Sequence, residues 1–179
     1  SETEFFLALL GKQVLKQSVE LGRACIASDH RNGRVLFLLW KGIWQYSERK
    51  GKRYLFGCTS MTSRNPKEGN RLFTYLNDLN YVDRNNIVLP KPDYICLAVK
   101  TENEPIPPLP PLMAMYFRYG AKIRSYPAID REFGTIDYLT LLDRDKIDAT
   151  VRSQFSLNRI SRSAAALQDN GPIQASHRE

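Results

Sequence analysis

One segment near the start of the chain restricts the fold more than any other. Residues 19–26 alternate in polarity and then become apolar, as a strand does, and a polar stretch with a glycine follows at 27–33. Residues 34–50 carry apolar side chains at the i, i+3 and i+4 spacing of a helix packed on a sheet. A second strand is predicted at 53–59. Strand, helix and strand in this order predict two parallel neighbours, and therefore an α/β fold.

Further elements are predicted around this unit. We expect helices at 70–80 and 112–119, strands at 94–100, 122–126 and 136–142, and a helix or turn at 144–155. A run with five of the ten prolines, 102–111, is expected to be a stiff, extended connector. The composition becomes polar after Ser156, and residues 156–179 are predicted to form a disordered tail.

The bulk composition excludes several classes of protein. Hydrophobic residues make up 42% of the 179, which is enough for a core, and the longest apolar run is too short to cross a bilayer. We see no secretory signal, and the widely spaced Cys25, Cys58 and Cys96 predict buried thiols in the reducing cytoplasm rather than disulfides or zinc ligands. The net charge of +7 suits nucleic acid, anionic lipid or an acidic protein, and does not choose among them.

The polar turn before the predicted helix is a candidate anion site. The first backbone N–H groups of a helix and its dipole attract negative charge, and Gly33 allows the backbone to approach an anion closely. Arg31 and Arg34 add positive charge, and Asn32 or Asp29 is expected to cap the helix. Such a turn suits the phosphate of coenzyme A or of a carrier-protein pantetheine arm, although most turns of this kind are purely structural.

Several motifs appear together and in order. They lie at residues 20–25, 29–33, 38–43, 53–58, 108–113, 126–130 and 133–137. Through these motifs, taken together and in this order, the chain resembles the hemolysin-like ornithine-lipid N-acyltransferases. These belong to the GCN5-related N-acetyltransferase (GNAT) superfamily and are related to N-acyl amino acid synthases and acyl-homoserine lactone synthases. The resemblance implies a mixed central sheet flanked by helices. Because the opening strands of that fold are not seen before residue 1, we expect residues 1–155 to be the C-terminal part of the domain.

The resemblance also implies a donor and an acceptor. The usual GNAT phosphate motif corresponds to His30, Gly33 and Val35, and its first and last positions differ here, which favours a carrier-borne acyl group over acetyl-CoA. The implied donor is a 3-hydroxyacyl or long-chain acyl group on acyl carrier protein, whose acidity suits the +7 charge. The implied acceptor is the α-amine of an amino acid, ornithine first, and the product is a lyso-aminolipid.

Donor-binding residues follow from the same motif. No tightly bound cofactor is expected, because the phosphopantetheine arm of the carrier protein, or coenzyme A, brings the acyl group. The candidate residues for holding its phosphate are His30, Arg31, Asn32, Gly33, Arg34 and Val35.

Glu20 and Arg23 are the catalytic candidates. The related lactone synthases carry a similar Glu-x-x-Arg on the matching strand. The attacking amine must lose a proton, and Glu20 is expected to accept it directly or through a water. Arg23 is expected to hold Glu20 or the acceptor carboxylate, although residues three apart on a strand point to opposite faces unless a bulge intervenes. The alternative is a structural Glu–Arg pair.

A second group of polar residues lies near predicted strand ends. Asp130, Glu132 and Asp137 are candidates for binding the cationic side chain or amine of ornithine, and the alternative is a solvated acidic turn. Ser60 is placed to donate a hydrogen bond to the leaving thiol. Without a histidine pair or a Ser/His/Asp spacing, we expect neither a metal site nor a catalytic triad.

Other functions stay open at this point. Interleaved arginine and tyrosine at 116–126 would serve a non-catalytic module that binds RNA or an anionic membrane. An N-acyltransferase with glycine, tyrosine or a polyamine as acceptor is a further alternative. Trp40, Trp44 and Tyr46 have helical spacing, which predicts core packing rather than base stacking. We therefore expect no nucleic-acid partner, and a cytoplasmic protein with peripheral contact to the inner membrane.

Overall fold

A mixed sheet forms the centre of the fold in the computed structural model, which describes residues 1–23, 25–97 and 105–155. Its strands are β1 (Ser18–Glu20), β2 (Tyr54–Thr62), β3 (Lys122–Ile123), β4 (Ala128–Asp130) and β5 (Thr135–Asp143). The α-helices are α1 (Lys12–Lys16), α2 (Gly33–Arg49), α3 (Pro66–Asp78), α4 (Pro111–Arg118) and α5 (Ala149–Phe155). Single 3₁₀ turns lie at Leu7–Leu10, Ser28–His30, Pro92–Tyr94 and Arg144–Lys146.

The strand pairing confirms the crossover read from the sequence. β1 runs parallel to β2, with Ser18 opposite Tyr54 and Glu20 opposite Phe56. β2 then pairs antiparallel with β5 along its whole length, and both β3 and β4 pair with β5. β5 is therefore the central strand, which explains why most of its side chains are buried.

Helix α2 begins and ends where its sequence predicts. The Oδ1 atom of Asn32 accepts hydrogen bonds from the amides of Arg34 and Val35, at 3.1 and 3.0 Å, so Asn32 is the N-cap. Gly51 follows the helix in the left-handed conformation, with φ of 59°.

The tryptophans of α2 lie in the core. Trp40 and Trp44 are buried with Leu55, Leu142 and Phe155, which confirms the predicted packing. The same prediction is wrong for Tyr46, which is exposed because it lies two positions, or about 200°, around the helix from Trp44.

The two faces of the sheet are covered by different parts of the chain. Because side chains alternate along a strand, Gly57 and Thr59 of β2 lie on the face covered by α2, α3 and α4. Cys58 lies on the other face, which is covered by the N-terminal segment through Phe5 and Leu10. This second face carries the polar residues described below.

Several predicted strands are shorter than expected. β1 ends at Glu20 rather than at residue 26, and β3 covers only two residues of the predicted 122–126. The predicted strand at 94–100 is wrong in its described part, where a 3₁₀ turn precedes a single bridge from Ile95 to Ala128. Pro90 and Pro92 explain this, because proline lacks the N–H that a ladder needs. Residues 98–100 lie outside the described residues.

Three further outcomes concern β4, the proline connector and the cysteines. β4 was missed, because three residues after a proline are too short for an alternating pattern. The connector forms neither helix nor strand from residue 105 to the start of α4, whereas its first residues and the predicted tail at 156–179 lie outside the described residues. All three cysteines are free, yet only Cys96 is buried, and Cys25 is exposed because the chain has left the sheet there.

The helices are short. Within the residues that the structure describes, none is both long and apolar enough to cross a membrane.

Candidate active site

The parallel strands β1 and β2 stop pairing at a point set by a glycine. The amide of Leu21 donates to the carbonyl of Phe56 at 2.7 Å, and beyond this bond β2 continues alone on that side as far as Thr62 among the described pairings. A Cβ atom on Gly57 would lie 2.3 Å from the carbonyl oxygen of Leu21, so no other residue fits without a backbone shift.

A narrow cleft opens at this separation. Its volume is about 30 Å³, roughly the space of one water molecule. The lining residues come from both strands and from α2 and α4, and include Leu21, Trp40, Gly57, Thr59 and Tyr116. The cleft is therefore a wedge between β1 and β2 rather than a finished ligand pocket.

A larger cavity of about 560 Å³ lies beside the end of β2. It is lined by Ser60, Met61, Thr62, Glu68 and residues 105–111, so the proline connector forms one wall. Cavities of roughly 300–1,000 Å³ commonly hold small organic ligands. The structure thus provides a ligand-sized space next to the exposed hydroxyl of Ser60.

Glu20 lies at the end of β1 on the polar face of the sheet. Its Oε1 atom is 3.0 Å from the amino group of Ser1, and its side chain is 41% exposed. A solvent-accessible carboxyl group loses its proton well below neutral pH. Glu20 is therefore ionised near neutral pH, the state that a proton acceptor needs.

Arg23 is not on the same strand as Glu20. It lies three residues beyond, exposed, with a φ of 54° in the left-handed region that a non-glycine residue rarely adopts. Because Arg23 lies beyond the end of β1, it belongs to neither face of that strand. Arg23 marks the place where the chain turns away from β2.

The turn before α2 is exposed, but several of its polar groups already form contacts within the protein. His30 Nε2 lies 3.6 Å from the carboxylate of Asp29, and Arg31 Nε donates to the carbonyl of Ile26 at 3.0 Å. The amides of Arg34 and Val35 donate to the Asn32 cap. A phosphate at this turn must replace the cap or use the remaining groups, Gly33 and the arginine side chains.

The structure brings Asp130 and Asp137 together and adds Glu4 to them. One carboxylate oxygen from each of the three lies within 4.8 Å of the others. Pairing of β4 with β5 puts Asp130 opposite Thr135, so both aspartates share the polar face. The backbone carbonyl of Glu4 accepts from the amide of Lys91 at 2.7 Å, which holds the N-terminal segment over this face.

Asp137 is the most deeply buried member of this acidic cluster, at 4% exposed. Its Oδ2 atom accepts from the Thr135 hydroxyl at 3.2 Å, and its carboxylate also accepts from Ser60. Its Oδ1 atom is sealed from solvent and has no hydrogen-bond partner among the described residues. Burial, with the nearby charges of Glu4 and Asp130, raises its pKa to about 6.

Asp130 and Glu132 differ in their surroundings. Asp130 is 7% exposed, and its Oδ1 atom accepts from the amides of Glu132 and Phe133, both at 2.9 Å. Glu132 is exposed, as expected for a solvated acidic turn, whereas the two aspartates are not. The buried pair, rather than the turn, is thus the feature that requires a chemical explanation.

Cys58 lies between Glu20 and the acidic cluster. Its Sγ atom is 2.8 Å from Glu4 Oε2 and 3.2 Å from Ser1 Oγ. Burial and the hydrogen bond to Glu4 raise the pKa of the thiol far above its ordinary value. Cys58 therefore stays protonated and is a poor nucleophile, which favours direct transfer over a covalent cysteine intermediate.

Ionised Asp137 is expected to lower the free energy of unfolding at neutral pH. The pKa is about 6 in the folded protein against 3.8 ordinarily, so the folded state binds the proton more tightly and stability falls as pH rises between these values. We expect Asp137→Asn to raise the free energy of unfolding by about 1–3 kcal/mol at about pH 8, and by much less at about pH 4. Urea unfolding measures both, with exposed Asp78→Asn as control. An equal change at the two pH values would contradict the expectation.

Some of the arginines and tyrosines that suggested nucleic-acid or membrane binding pack within the fold, whereas Arg118 and Tyr126 are exposed. Tyr116 and Tyr119 contact Trp40 edge-on, with ring centroids 5.1 and 5.4 Å apart. Arg124 forms an ion pair with Asp83. These contacts leave fewer side chains at 116–126 available to RNA or to an anionic membrane than the sequence suggests.

Comparison with known proteins shows which families the chain is similar to. Residues 1–41 match the family described as Acetyltransferase (GNAT) domain. The chain is 32% identical over 154 residues to an L-ornithine N(alpha)-acyltransferase of Rhizobium meliloti (strain 1021), covering 82% of this chain and 52% of that protein. The chain is related to the GNAT acyltransferases. A second L-ornithine N(alpha)-acyltransferase, from Agrobacterium fabrum (strain C58 / ATCC 33970), is 29% identical over 149 residues, covering 79% and 51%.

These matches confirm the resemblance seen in the motifs. The mixed sheet flanked by helices confirms the predicted fold class. The chain spans about half the length of the relatives that it matches. No solved structure gave a significant match.

Neither motif nor spacing predicted the participation of Glu4. It lies near the start of the sequence, outside every motif on which the resemblance rests. Folding places it beside residues from the far end of the chain. Sequence reasoning had no signal for this contact.

Proposed function

We propose that the protein that contains this chain is an N-acyltransferase. It moves a 3-hydroxyacyl or long-chain acyl group from acyl carrier protein to the α-amine of an amino acid, ornithine first, and yields a lyso-aminolipid. The observation that carries this proposal is the separation of β1 from β2 at Gly57, with Glu20 at its edge and a ligand-sized cavity beyond it. The relationship to ornithine N-acyltransferases supports the choice of acceptor.

The donor arm would run along the edge of β2 that β1 leaves. An extended arm with amide groups can bond to a free strand edge as another strand does. The acyl chain would enter the cavity walled by the proline connector, where Ile106 and Leu109 contribute apolar surface. Ser60 lines the cavity, and its hydroxyl would turn from Asp137 to donate a hydrogen bond to the leaving thiol.

The chemistry requires one base and one place for negative charge. The neutral α-amine attacks the thioester carbonyl, the new C–N bond forms, and the C–S bond then breaks with release of the pantetheine thiol. Glu20 takes the proton from the amine, directly or through a water. Backbone N–H groups near the strand separation would stabilise the oxyanion, and Arg23 would hold the acceptor carboxylate. Asp130 and Asp137 would bind the cationic part of the acceptor.

A basic surface at the start of α2 supports docking of the carrier protein. Arg31 and Arg34 are exposed there, and the chain has a net charge of +7. Acyl carrier protein is acidic, so long-range attraction would speed its association. A carrier-borne donor and a lipid product would place the reaction in the cytoplasm, at the face of the inner membrane.

The direct test is product formation. We would incubate the full-length protein with 3-hydroxyacyl carrier protein and ornithine, and look for the amide by mass spectrometry. Parallel reactions would replace the donor by acetyl-CoA, and the acceptor by glycine, tyrosine or a polyamine. An amide from ornithine supports the proposal. No amide from any acceptor, together with salt-dependent binding to RNA or to anionic vesicles, would overturn it.

Carrier docking makes a separate prediction. We expect the double change Arg31→Gln and Arg34→Gln to raise KM for the acyl carrier protein about 10-fold at low salt, because two charges facing the acidic partner are lost. The difference should shrink as salt rises. Arg49→Gln is the matched control, since Arg49 is exposed at the opposite end of the same helix, roughly 25 Å away. An equal KM for the double variant and the control would count against docking at this turn.

A further inference from the structure

The acidic cluster has a feature that its fold does not explain. We propose that Glu4, Asp130 and Asp137 form a subsite for the side-chain ammonium of a diamino-acid acceptor, with Glu4 as a specificity-determining residue. The inference rests on the proposed acyl transfer and adds to it which end of the acceptor the cluster holds.

An unpartnered oxygen points to a ligand. Asp137 is 4% exposed, and its Oδ1 atom has no hydrogen-bond partner among the described residues. Burying a carboxylate oxygen without a donor is costly, and native structures rarely do so without a functional reason. A cation that enters the cluster would donate to this oxygen and offset the repulsion among three carboxylates.

The spacing of the cluster suits an ammonium group. Its three oxygens lie within 4.8 Å of one another. A primary ammonium has three N–H donors, and acceptors about 2.9 Å from its nitrogen in tetrahedral directions lie about 4.7 Å apart. Neighbouring oxygens around Mg²⁺ are much closer, at about 2.9 Å. Oxygens within this limit can each accept one of the three ammonium hydrogens, so the cluster is compatible with a primary ammonium group.

Chemistry then decides which amine the cluster holds. Nearby negative charges raise the pKa of an amine, so an amine bound by three carboxylates stays protonated and cannot attack. The reacting α-amine must therefore lie elsewhere, and the amine in the cluster must be the one that does not react.

The polar face of the sheet offers separate groups for the reacting and the non-reacting amine. Glu20 contacts Ser1, Ser1 contacts Cys58, and Cys58 contacts Glu4, with distances of 3.0, 3.2 and 2.8 Å. Glu20 and the cluster thus lie at the two ends of one short polar track. The two amines of ornithine are on the order of 6 Å apart when extended, and the proposal requires one to lie at Glu20 while the other lies at Glu4.

An acceptor series with the full-length protein tests the subsite. Norvaline has the carbon chain of ornithine without its second amine, so we expect wild-type kcat/KM for ornithine to exceed that for norvaline at least about 100-fold. Glu4→Gln should raise KM for ornithine about 10- to 100-fold with little change in kcat, and should leave norvaline unaffected. Glu2→Gln, an exposed neighbour, is the matched control.

Binding separates the subsite from the transfer reaction. Calorimetry should show ornithine binding to the wild type and weaker binding to Glu4→Gln and Asp137→Asn. Asp137→Asn is expected to be the more stable protein, so its loss of binding would not reflect unfolding. Ornithine binding without any amide product would overturn the proposed transfer and leave the subsite intact.

Other outcomes would overturn the subsite itself. An unchanged ornithine-to-norvaline ratio in Glu4→Gln would do so while acyl transfer stands. Loss of activity in EDTA with recovery on adding Mg²⁺ or Mn²⁺, together with metal binding that Glu4→Gln abolishes, would show that the cluster holds a metal instead.

Discussion

In the proposed acyl transfer, replacing Glu20 by glutamine is expected to lower kcat of the full-length protein by about 10²- to 10⁴-fold, the usual contribution of a positioned general base. Glutamine has nearly the same shape as glutamate but cannot accept a proton. Glu20 lies at the end of β1 and its side chain is 41% exposed, so it is ionised at neutral pH and accessible to an acceptor. KM for both substrates should change little, because the proton transfer occurs only in the transition state.

The pH dependence of this variant distinguishes a base from a structural residue. Wild-type kcat should fall as pH drops through the pKa of Glu20, because protonated glutamate cannot accept a proton. Glu20→Gln should lose that acidic limb and respond only to the ionisation of the amine. Stopped assays at several pH values measure both, with Glu2→Gln expected within about twofold of wild type. Equal kcat in Glu20→Gln and wild type would remove Glu20 from the mechanism.

Gly57→Ala should destabilise the protein by about 1–3 kcal/mol, the usual cost of overpacking. The added Cβ would lie 2.3 Å from the carbonyl oxygen of Leu21, a backbone atom that cannot rotate away. β1 must therefore shift, at the point where it separates from β2. Urea unfolding measures the loss. The control is Gly42→Ala on the exposed side of α2, where the Cβ meets open space and a gain of about 0.5–1 kcal/mol is expected.

The same variant tests the donor path. If the pantetheine arm enters where β1 and β2 separate, Gly57→Ala should also raise KM for the acyl carrier protein under conditions in which the variant remains folded. Gly42→Ala should not, since it lies outside the cleft. A variant as stable as wild type, with an unchanged donor KM, would contradict both the packing argument and the proposed path.

Local features of the chain were predictable because each depends on a few adjacent residues. Asn32 caps α2 and Gly51 follows it, as their residue types predict. Trp40 and Trp44 face the core because their spacing matches one helical turn. Residues with competing preferences were not predictable in this way: the prolines near Tyr94 prevented the expected strand.

In the candidate site too, some residues were predictable from the sequence and others were not. Glu20, Ser60 and Asp137 were named from the resemblance or from their places near strand ends, and the fold puts them on one face of the sheet. Glu4 and the role of Gly57 were not predictable. Each depends on an atom of a distant segment: a carboxylate beside Asp137 in one case, and the carbonyl of Leu21 in the other.

The sequence by itself determined the strand–helix–strand crossover, the caps of its helix and the apolar faces that form the core. These follow from spacing and backbone preference over a few residues, so they need no partner from elsewhere in the chain. Only the tertiary structure decided where the strands separate and how the acidic cluster forms. Pairing of β4 with β5 and the fold of the N-terminal segment bring Glu4, Asp130 and Asp137 together. The burial of Asp137 and the charges of Glu4 and Asp130 beside it, rather than its residue type, raise the pKa of this carboxyl group.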